Sequence, residues 1–199
     1  MKGYGDNMGK YKNIIIIAII LVLIGGYYFY LSNTQKEQEE TQITAVQDVI
    51  LRNLDTNYPP TVKEVVKYYS EISKCLYNEK YSSEEFEQMA DKLLAIYDDE
   101  LAANNPKEQY LKDLKDEVKQ FEKNDYTIIT YTPSASTEVD YYTVDGRECA
   151  SIYCTYSIKK GADYVTSMQI FVLRKDTSTG RWKILGFQIP EVQNENNKE

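Results

Sequence analysis

An uncharged apolar run near the N-terminus constrains this chain more than any other feature. Residues Ile14–Leu31 read IIIIAIILVLIGGYYFYL and contain no charged side chain. A helix rises 1.5 Å per residue, so this run would reach about 27 Å, close to the ~30 Å hydrocarbon core of a bilayer. The run therefore predicts a transmembrane helix over residues 14–31, which tethers the rest of the chain to the lipid bilayer.

The charges on either side of this run predict its orientation. Lys2, Lys10 and Lys12 precede it with a single acid, Asp6, whereas acids predominate in the residues that follow. Because positive residues stay on the cytoplasmic side, residues 1–13 are expected to be cytoplasmic and the remainder extracytoplasmic. Cysteines without a disulfide framework and the absence of any N-x-[ST] acceptor favour a bacterial cell membrane. A cleaved secretory signal is the alternative, but its apolar region is shorter and ends in an A-x-A-like site, which this sequence lacks.

The chain after the run divides into three parts. Residues 32–60 predict a polar stalk and a short amphipathic helix that ends near Asn57, because a residue before proline is pushed out of helical geometry. Residues 61–190 are numerous enough for one extracytoplasmic domain with its own core. Residues 191–199 form a polar tail.

Three helices are predicted at the start of the domain. Thr61 is expected to cap the first, the capping box of Ser82 and Glu85 begins the second, and Asn105 with Pro106 begins the third. Apolar residues recur at helical spacing in all three. They are Val62, Val65, Val66, Tyr69, Ile72 and Leu76, then Phe86, Met89, Ala90, Leu93 and Tyr97, then Leu111, Leu114, Val118 and Phe121.

From Asp125 the hydrophobic period changes from 3.6 to 2, which predicts four or five antiparallel strands. The strongest hairpin signal is Asp145–Gly146, between Val139–Val144 and Arg147–Lys159. Gly186 is expected to mark a β-bulge that moves the following side chains to the other face. A run of helices followed by a run of strands predicts an α+β fold in which a curved sheet wraps around the helices.

This order of elements, with W-K-I at Trp182–Ile184, resembles the NTF2-like (cystatin-like, cone-shaped) fold. Four stretches also resemble an uncharacterised family of Gram-positive bacterial proteins, which have a single N-terminal span and an NTF2-like extracytoplasmic domain. The stretches are RNLDTNYPP at Arg52–Pro60, LAANNP at Leu101–Pro106, VDGR at Val144–Arg147 and WKILG at Trp182–Gly186. The resemblance implies a location and a fold, but no residue roles.

The composition excludes several chemistries. The chain has no histidine, so Ser–His and Cys–His nucleophile pairs cannot form, and its net charge of −8 disfavours nucleic acid as a partner. Cys75, Cys149 and Cys154 show neither zinc-site spacing nor a disulfide framework. Cys149 and Cys154 are predicted on opposite faces of one strand and cannot bridge, whereas a pairing of Cys75 with either stays open. No cofactor or metal is predicted.

Two groups of side chains are candidates for function. The densest acidic cluster, Asp98–Asp99–Glu100, is either an acid or hard-cation site or, as charge runs usually are, a solvated helix end. Tyrosines on the predicted helices and strands either line a cone for recognition or, more commonly, fill half-buried sheet positions. They are Tyr68, Tyr69, Tyr97, Tyr110, Tyr131, Tyr141, Tyr142, Tyr153, Tyr156 and Tyr164.

The sequence thus favours a membrane-anchored extracytoplasmic binding or scaffold protein, without catalytic residues, for a small ligand or a protein partner. The architecture is also similar to VirB8-like assembly subunits of conjugative secretion systems, which implies self-association into a homo-oligomer. A further alternative is an NTF2-like enzyme that uses Asp or Tyr as its acid–base groups. An open or a filled cone interior is the structural observation that bears most directly on these alternatives.

Overall fold

The computed structural model describes residues 44–188, in which helices precede a curved five-stranded antiparallel sheet. The helices are α1 (Ala45–Leu51), α2 (Val62–Asn78), α3 (Ser83–Ile96), α4 (Asp99–Ala103) and α5 (Lys107–Lys123). The strands are β1 (Tyr126–Pro133), β2 (Asp140–Val144), β3 (Arg147–Lys160), β4 (Asp163–Lys175) and β5 (Trp182–Gln188), with a 3-10 turn at Ser136–Glu138. The predicted α+β class is confirmed.

Several predicted segments lie outside the described residues. They are the cytoplasmic segment 1–13, the transmembrane helix 14–31, the stalk before residue 44 and the tail 191–199. Among residues 44–188, no helix combines the length and the apolar character needed to cross a membrane.

Helix α1 is shorter than predicted, since it stops at Leu51 rather than near Asn57. The side chain of Asn53 accounts for the difference. Its Oδ1 accepts hydrogen bonds from the backbone N–H groups of Asp55 at 2.8 Å and Thr56 at 3.4 Å. Such local bonds offer the backbone an alternative to the helical ladder and turn the chain before the prolines are reached.

Helix α2 lies at the centre of the core. Thr61 caps it as predicted, with Oγ1 accepting from the N–H of Glu64 at 3.2 Å. Its buried positions exceed the predicted stripe, because α1, α3, α5 and the sheet all contact it. Tyr68, outside that stripe, is buried and donates its hydroxyl to the carbonyl of Val49 at 2.7 Å, which fastens α1 to α2.

The region between α3 and α5 departs from the prediction of three helices after Pro60, because residues 61–125 contain four α-helices. Helix α3 stops at Ile96, and Asp98 caps the separate short helix α4. The prediction that Asn105 caps α5 is wrong. Its Nδ2 donates instead to the carbonyl of Leu101 at 2.7 Å and closes the end of α4, so α5 begins after Pro106 without a side-chain cap.

The sheet has the order β1-β3-β4-β5, and β2 pairs with the first half of β3 on the same side as β1. The predicted Asp145–Gly146 turn is confirmed, with φ values of 49° and 75°. The predicted bulge is also present. Val172 pairs with Gly186 and Leu173 with Ile184, so one residue of β5 is inserted between them.

A second bulge, at Ile129 of β1, is held by side chains of α2. Asn78 accepts from the N–H of Ile128 at 3.0 Å and donates through Nδ2 to the carbonyl of Ile128 at 2.7 Å. Lys74 Nζ donates to the carbonyl of Ile129 at 2.9 Å. Backbone groups that the bulge withholds from the sheet are thus satisfied by the helix.

We expect Asn78→Ala to lower the free energy of unfolding by about 1–3 kcal/mol, because it leaves two partly buried backbone groups of Ile128 without partners. Urea denaturation of the purified chain measures the change. Asn124→Ala is the matched control, since its Nδ2 donates at 2.7 Å to the carbonyl of Gln120 in its own exposed helix end. Equal losses in the two variants would contradict this assignment for Asn78.

Candidate functional site

A cavity of about 370 Å³ lies between α2, α5 and the inner face of the sheet. Aromatic rings form much of its wall: Tyr69, Tyr77, Tyr97, Tyr110, Phe121, Tyr156 and Phe187. Polar side chains also line it: Ser73, Asn105, Asp113, Glu117, Ser167 and Gln169. The interior of the curved sheet is therefore open.

Helical spacing places one wall of the cavity. Tyr69, Ser73 and Tyr77 are four residues apart on α2 and lie on one face of that helix. The ring of Tyr69 packs edge-on against buried Phe171 with centroids 5.1 Å apart. Phe187 also lines the cavity, with its ring centroid 5.5 Å from that of Tyr69, because the bulge in β5 turns it to the same face as Ile184.

Helix α5 forms the other wall and stands partly off the core. Its predicted apolar stripe is divided, because Leu114 and Phe121 line the cavity whereas Leu111 and Val118 line a groove against α3 on the other side. Only Leu114 of this helix is fully buried. The space between α5 and the sheet is left to the cavity.

The tyrosine hydroxyls of the cavity form hydrogen bonds, two of them with other lining residues and one with Ser70 in the core. Tyr77 donates its hydroxyl to Glu117 Oε1 at 2.7 Å, and the hydroxyls of Tyr97 and Tyr110 are 3.1 Å apart. Tyr156 lies 2.7 Å from Ser70 Oγ. Within the described residues, no buried side-chain nitrogen or oxygen lacks a partner.

Burial determines the protonation of these tyrosines. It raises the pKa of Tyr110 to about 12. The hydrogen bond with Tyr97 lowers this pKa, and the charge of Glu117 raises it further. Burial is also the largest cause that raises the pKa values of Tyr69, Tyr77 and Tyr97. At neutral pH all four are neutral phenols, which donate and accept hydrogen bonds.

The structure brings together some of the predicted tyrosines and separates the rest. Four of them line the cavity: Tyr69, Tyr97, Tyr110 and Tyr156. The others do not line it: Tyr68, Tyr131, Tyr141, Tyr142, Tyr153 and Tyr164. The sequence analysis missed Tyr77 as a lining residue. Its position eight residues after Tyr69 places it on the same face of α2, and this spacing could have identified it.

The acidic cluster is divided by the fold and lies outside the cavity lining. Asp98 is buried, and Arg174 of β4 donates to it through Nε at 3.0 Å and through a second, charge-paired contact from Nη2. Glu100 accepts from the same guanidinium at 3.1 Å, and Asp99 is exposed. The solvated helix end that we predicted therefore describes Asp99 but not Asp98. Among residues 44–188, no group of three potential ligands is placed to hold a metal ion.

The three cysteines are buried and free, so the open pairing of Cys75 with Cys149 or Cys154 does not occur. Burial raises the pKa of the Cys75 thiol to about 11, with smaller contributions from nearby carboxylates. Cys154 lies 3.7 Å from Ser70 Oγ in the core. All three act as small hydrophobic residues.

We expect Asp98→Asn to lower the free energy of unfolding at pH 7 by about 2–3 kcal/mol, because the Arg174 guanidinium, whose side chain is 15% exposed, loses its main counter-ion and keeps only Glu100. Burial pushes the pKa of Asp98 upward, but the hydrogen bonds from Arg174 and the N–H of Glu100 outweigh it and leave the pKa lowered. This stabilisation is therefore present above about pH 4 and is lost as the pH falls through the folded-state pKa.

Urea denaturation between pH 7 and pH 3 measures both effects. Asp99→Asn is the control, since that carboxylate is 94% exposed and its 3.4 Å ion pair with Lys183 contributes little. The difference between the wild type and Asp98→Asn should shrink toward pH 3. A difference that does not depend on pH would argue against the ion pair as its source.

The fold and the cavity define a class of protein: an α+β domain whose curved sheet and helices enclose an open, tyrosine-rich cavity. A family model, DUF6715 (domain of unknown function), matches residues 1–187, and the chain belongs to that family. The match agrees with the prediction of an uncharacterised family. No curated protein matches the chain.

Proposed function

We propose that this protein is a membrane-anchored extracytoplasmic binding module, which holds its ligand in the cavity and does not convert it. The open cavity is the observation that carries this proposal. Its 370 Å³ is in the range of small-molecule sites, about 300–1,000 Å³, and its wall combines apolar rings with a few polar groups, as such sites do.

The state of the polar groups favours binding over catalysis. A general base needs a pKa near the working pH, whereas burial raises the pKa values of Tyr77, Tyr97 and Tyr110. Asp98, the acid we considered for an enzyme, is engaged with Arg174 away from the cavity. The cavity thus offers hydrogen-bonding and apolar contact to a bound molecule.

The finer description of the protein rests on the sequence together with this architecture. Helices that precede a curved antiparallel sheet are the order of elements in the NTF2-like cone, and we assign the domain to that fold. The uncharged run Ile14–Leu31 supports a single span, and the lysines before it support an extracytoplasmic domain. Because its sequence resembles an uncharacterised family of Gram-positive bacterial proteins, we assign the chain to Gram-positive bacteria.

A second candidate, a VirB8-like assembly subunit, is favoured by the outer face of the sheet. Tyr142, Tyr153 and Met168 share that face, opposite the buried Ile152, and are 36%, 44% and 43% exposed. Exposed aromatic and thioether side chains on one sheet face suit contact with a second copy of the chain. This candidate predicts a homo-oligomer.

We expect Ser167→Trp to abolish ligand binding, because the indole would fill the cavity from β4. The full-length chain, purified in nonionic detergent, is incubated with a bacterial metabolite extract, and native mass spectrometry detects small-molecule adducts. The wild type should carry a 1:1 adduct that Ser167→Trp lacks.

Thr166→Trp is the matched control, since the neighbouring residue of the same strand is exposed and points to the other face of the sheet. It should keep the adduct. An adduct that persists in Ser167→Trp, or no adduct in the wild type, would contradict binding in the cavity.

The topology predicts that protease added to intact, cell-wall-stripped cells cleaves the domain. Immunoblotting should show loss of the full-length band without lysis, because the domain lies outside the membrane, while a cytoplasmic marker protein stays intact. Cleavage that requires lysis would reverse the orientation, and a mature protein without residues 1–31 would replace the anchor by a cleaved signal.

A further inference from the structure

The charges around the cavity are all of one sign. Asp113 and Glu117 of α5 line it, and no lysine or arginine is among the lining residues in the described part of the chain. Lys112, Lys115 and Lys119 of the same helix line the groove on its other side. Helix α5 therefore presents two of its acids, Asp113 and Glu117, to the cavity and these lysines away from it.

The carboxylates of Asp113 and Glu117 have only neutral hydrogen-bond donors among the described residues. Among residues 44–188, neither Asp113 nor Glu117 takes part in an ion pair. Gln109 donates to Asp113 at 2.7 Å, and Tyr77 donates to Glu117 at 2.7 Å, so both bonds are to neutral donors. After burial, the nearby charge of Glu117 contributes to the raised pKa values of Tyr69, Tyr77 and Tyr110, which line the cavity.

The rings provide the second half of the recognition. The face of an aromatic ring carries negative charge density and attracts a cation within about 6 Å. Tyr77 packs against Phe121 with ring centroids 4.6 Å apart, and Tyr97 packs edge-on against Tyr110 at 6.0 Å. The rings of each pair therefore cover part of one another, and a ligand meets the ring surface that they leave on the cavity wall. An anionic ligand would be repelled here by the carboxylates and the negative ring faces, and no lysine or arginine among the lining residues would offset that repulsion.

We propose that the ligand of this cavity is a small organic cation, with a quaternary ammonium group as the simplest form. Such a group is weakly hydrated and needs no hydrogen-bond acceptor, so ring faces replace its water well while Asp113 and Glu117 attract it at the exposed side of α5. This inference rests on the proposed function, because it names the chemistry of the same site.

The test compares choline with 3,3-dimethylbutan-1-ol, which has the same shape with carbon in place of the charged nitrogen. Isothermal titration calorimetry on the full-length chain in nonionic detergent should show choline binding at least about tenfold more tightly than the alcohol. Glu117→Gln should weaken choline binding several-fold and leave the affinity for the alcohol unchanged.

Glu108→Gln is the matched control, since it removes the same charge from an exposed position of α5 outside the cavity lining. It should leave choline binding unchanged, and Ser167→Trp should abolish it. Equal affinity for choline and the alcohol would overturn the cation inference while the binding proposal stands. Failure of choline to bind at millimolar concentration would also overturn the inference, and the metabolite adduct then decides the proposed function separately. Choline binding that survives Ser167→Trp would place it elsewhere and overturn the inference.

Discussion

The packing of α2 against the inner face of the sheet is the constraint on which the rest of the domain depends. Val62, Val65, Val66 and Ile72 of this helix have no exposed surface. Burying a side chain of this kind contributes about 1.5–3 kcal/mol, so the helix cannot shift without losing a large part of the core. Asn78 then fixes the C-terminal end of α2 to the bulge in β1. This hydrogen bonding and the packing of the apolar residues together fix the position of the helix along the sheet.

This arrangement leaves α5 free to stand off the sheet. A closed apolar void of this size would cost several kcal/mol, since about 24 cal/mol is lost per Å³. The hydroxyls of Tyr77, Tyr97 and Tyr110 make the space polar enough for water, which lowers that cost in the absence of ligand. The fully buried residues of α2 therefore stabilise the domain, while Tyr69, Ser73 and Tyr77 of the same helix line the cavity.

The sequence predicted those features that depend on neighbours along the chain. The cap at Thr61, the capping box at Ser82 and the Asp145–Gly146 turn are each specified within a few residues, and each is present. The separate helix α4 was not predictable, because it depends on the ion pair of Asp98 with Arg174, 76 residues away.

The cavity was predictable only in part, for the same reason. Helical periodicity shows which side of α5 is apolar but not whether Leu114 and Phe121 meet the sheet or an open space, since that distance is set by packing elsewhere in the domain. The tyrosines of β3 are an example. Alternation along the strand predicts that Tyr153 and Tyr156 lie on opposite faces of the sheet, but it does not show which elements pack against either face.

The three free, buried cysteines have a practical consequence for a domain that we place outside the cell. Its fold contains no covalent cross-link, so glutathione and thioredoxin have nothing to reduce, and it should reach the same native state in an oxidising or a reducing compartment. A protonated, sheltered thiol also reacts slowly with alkylating reagents. Iodoacetamide labelling of the wild-type chain would therefore report the fraction of molecules that have opened, without any engineered probe.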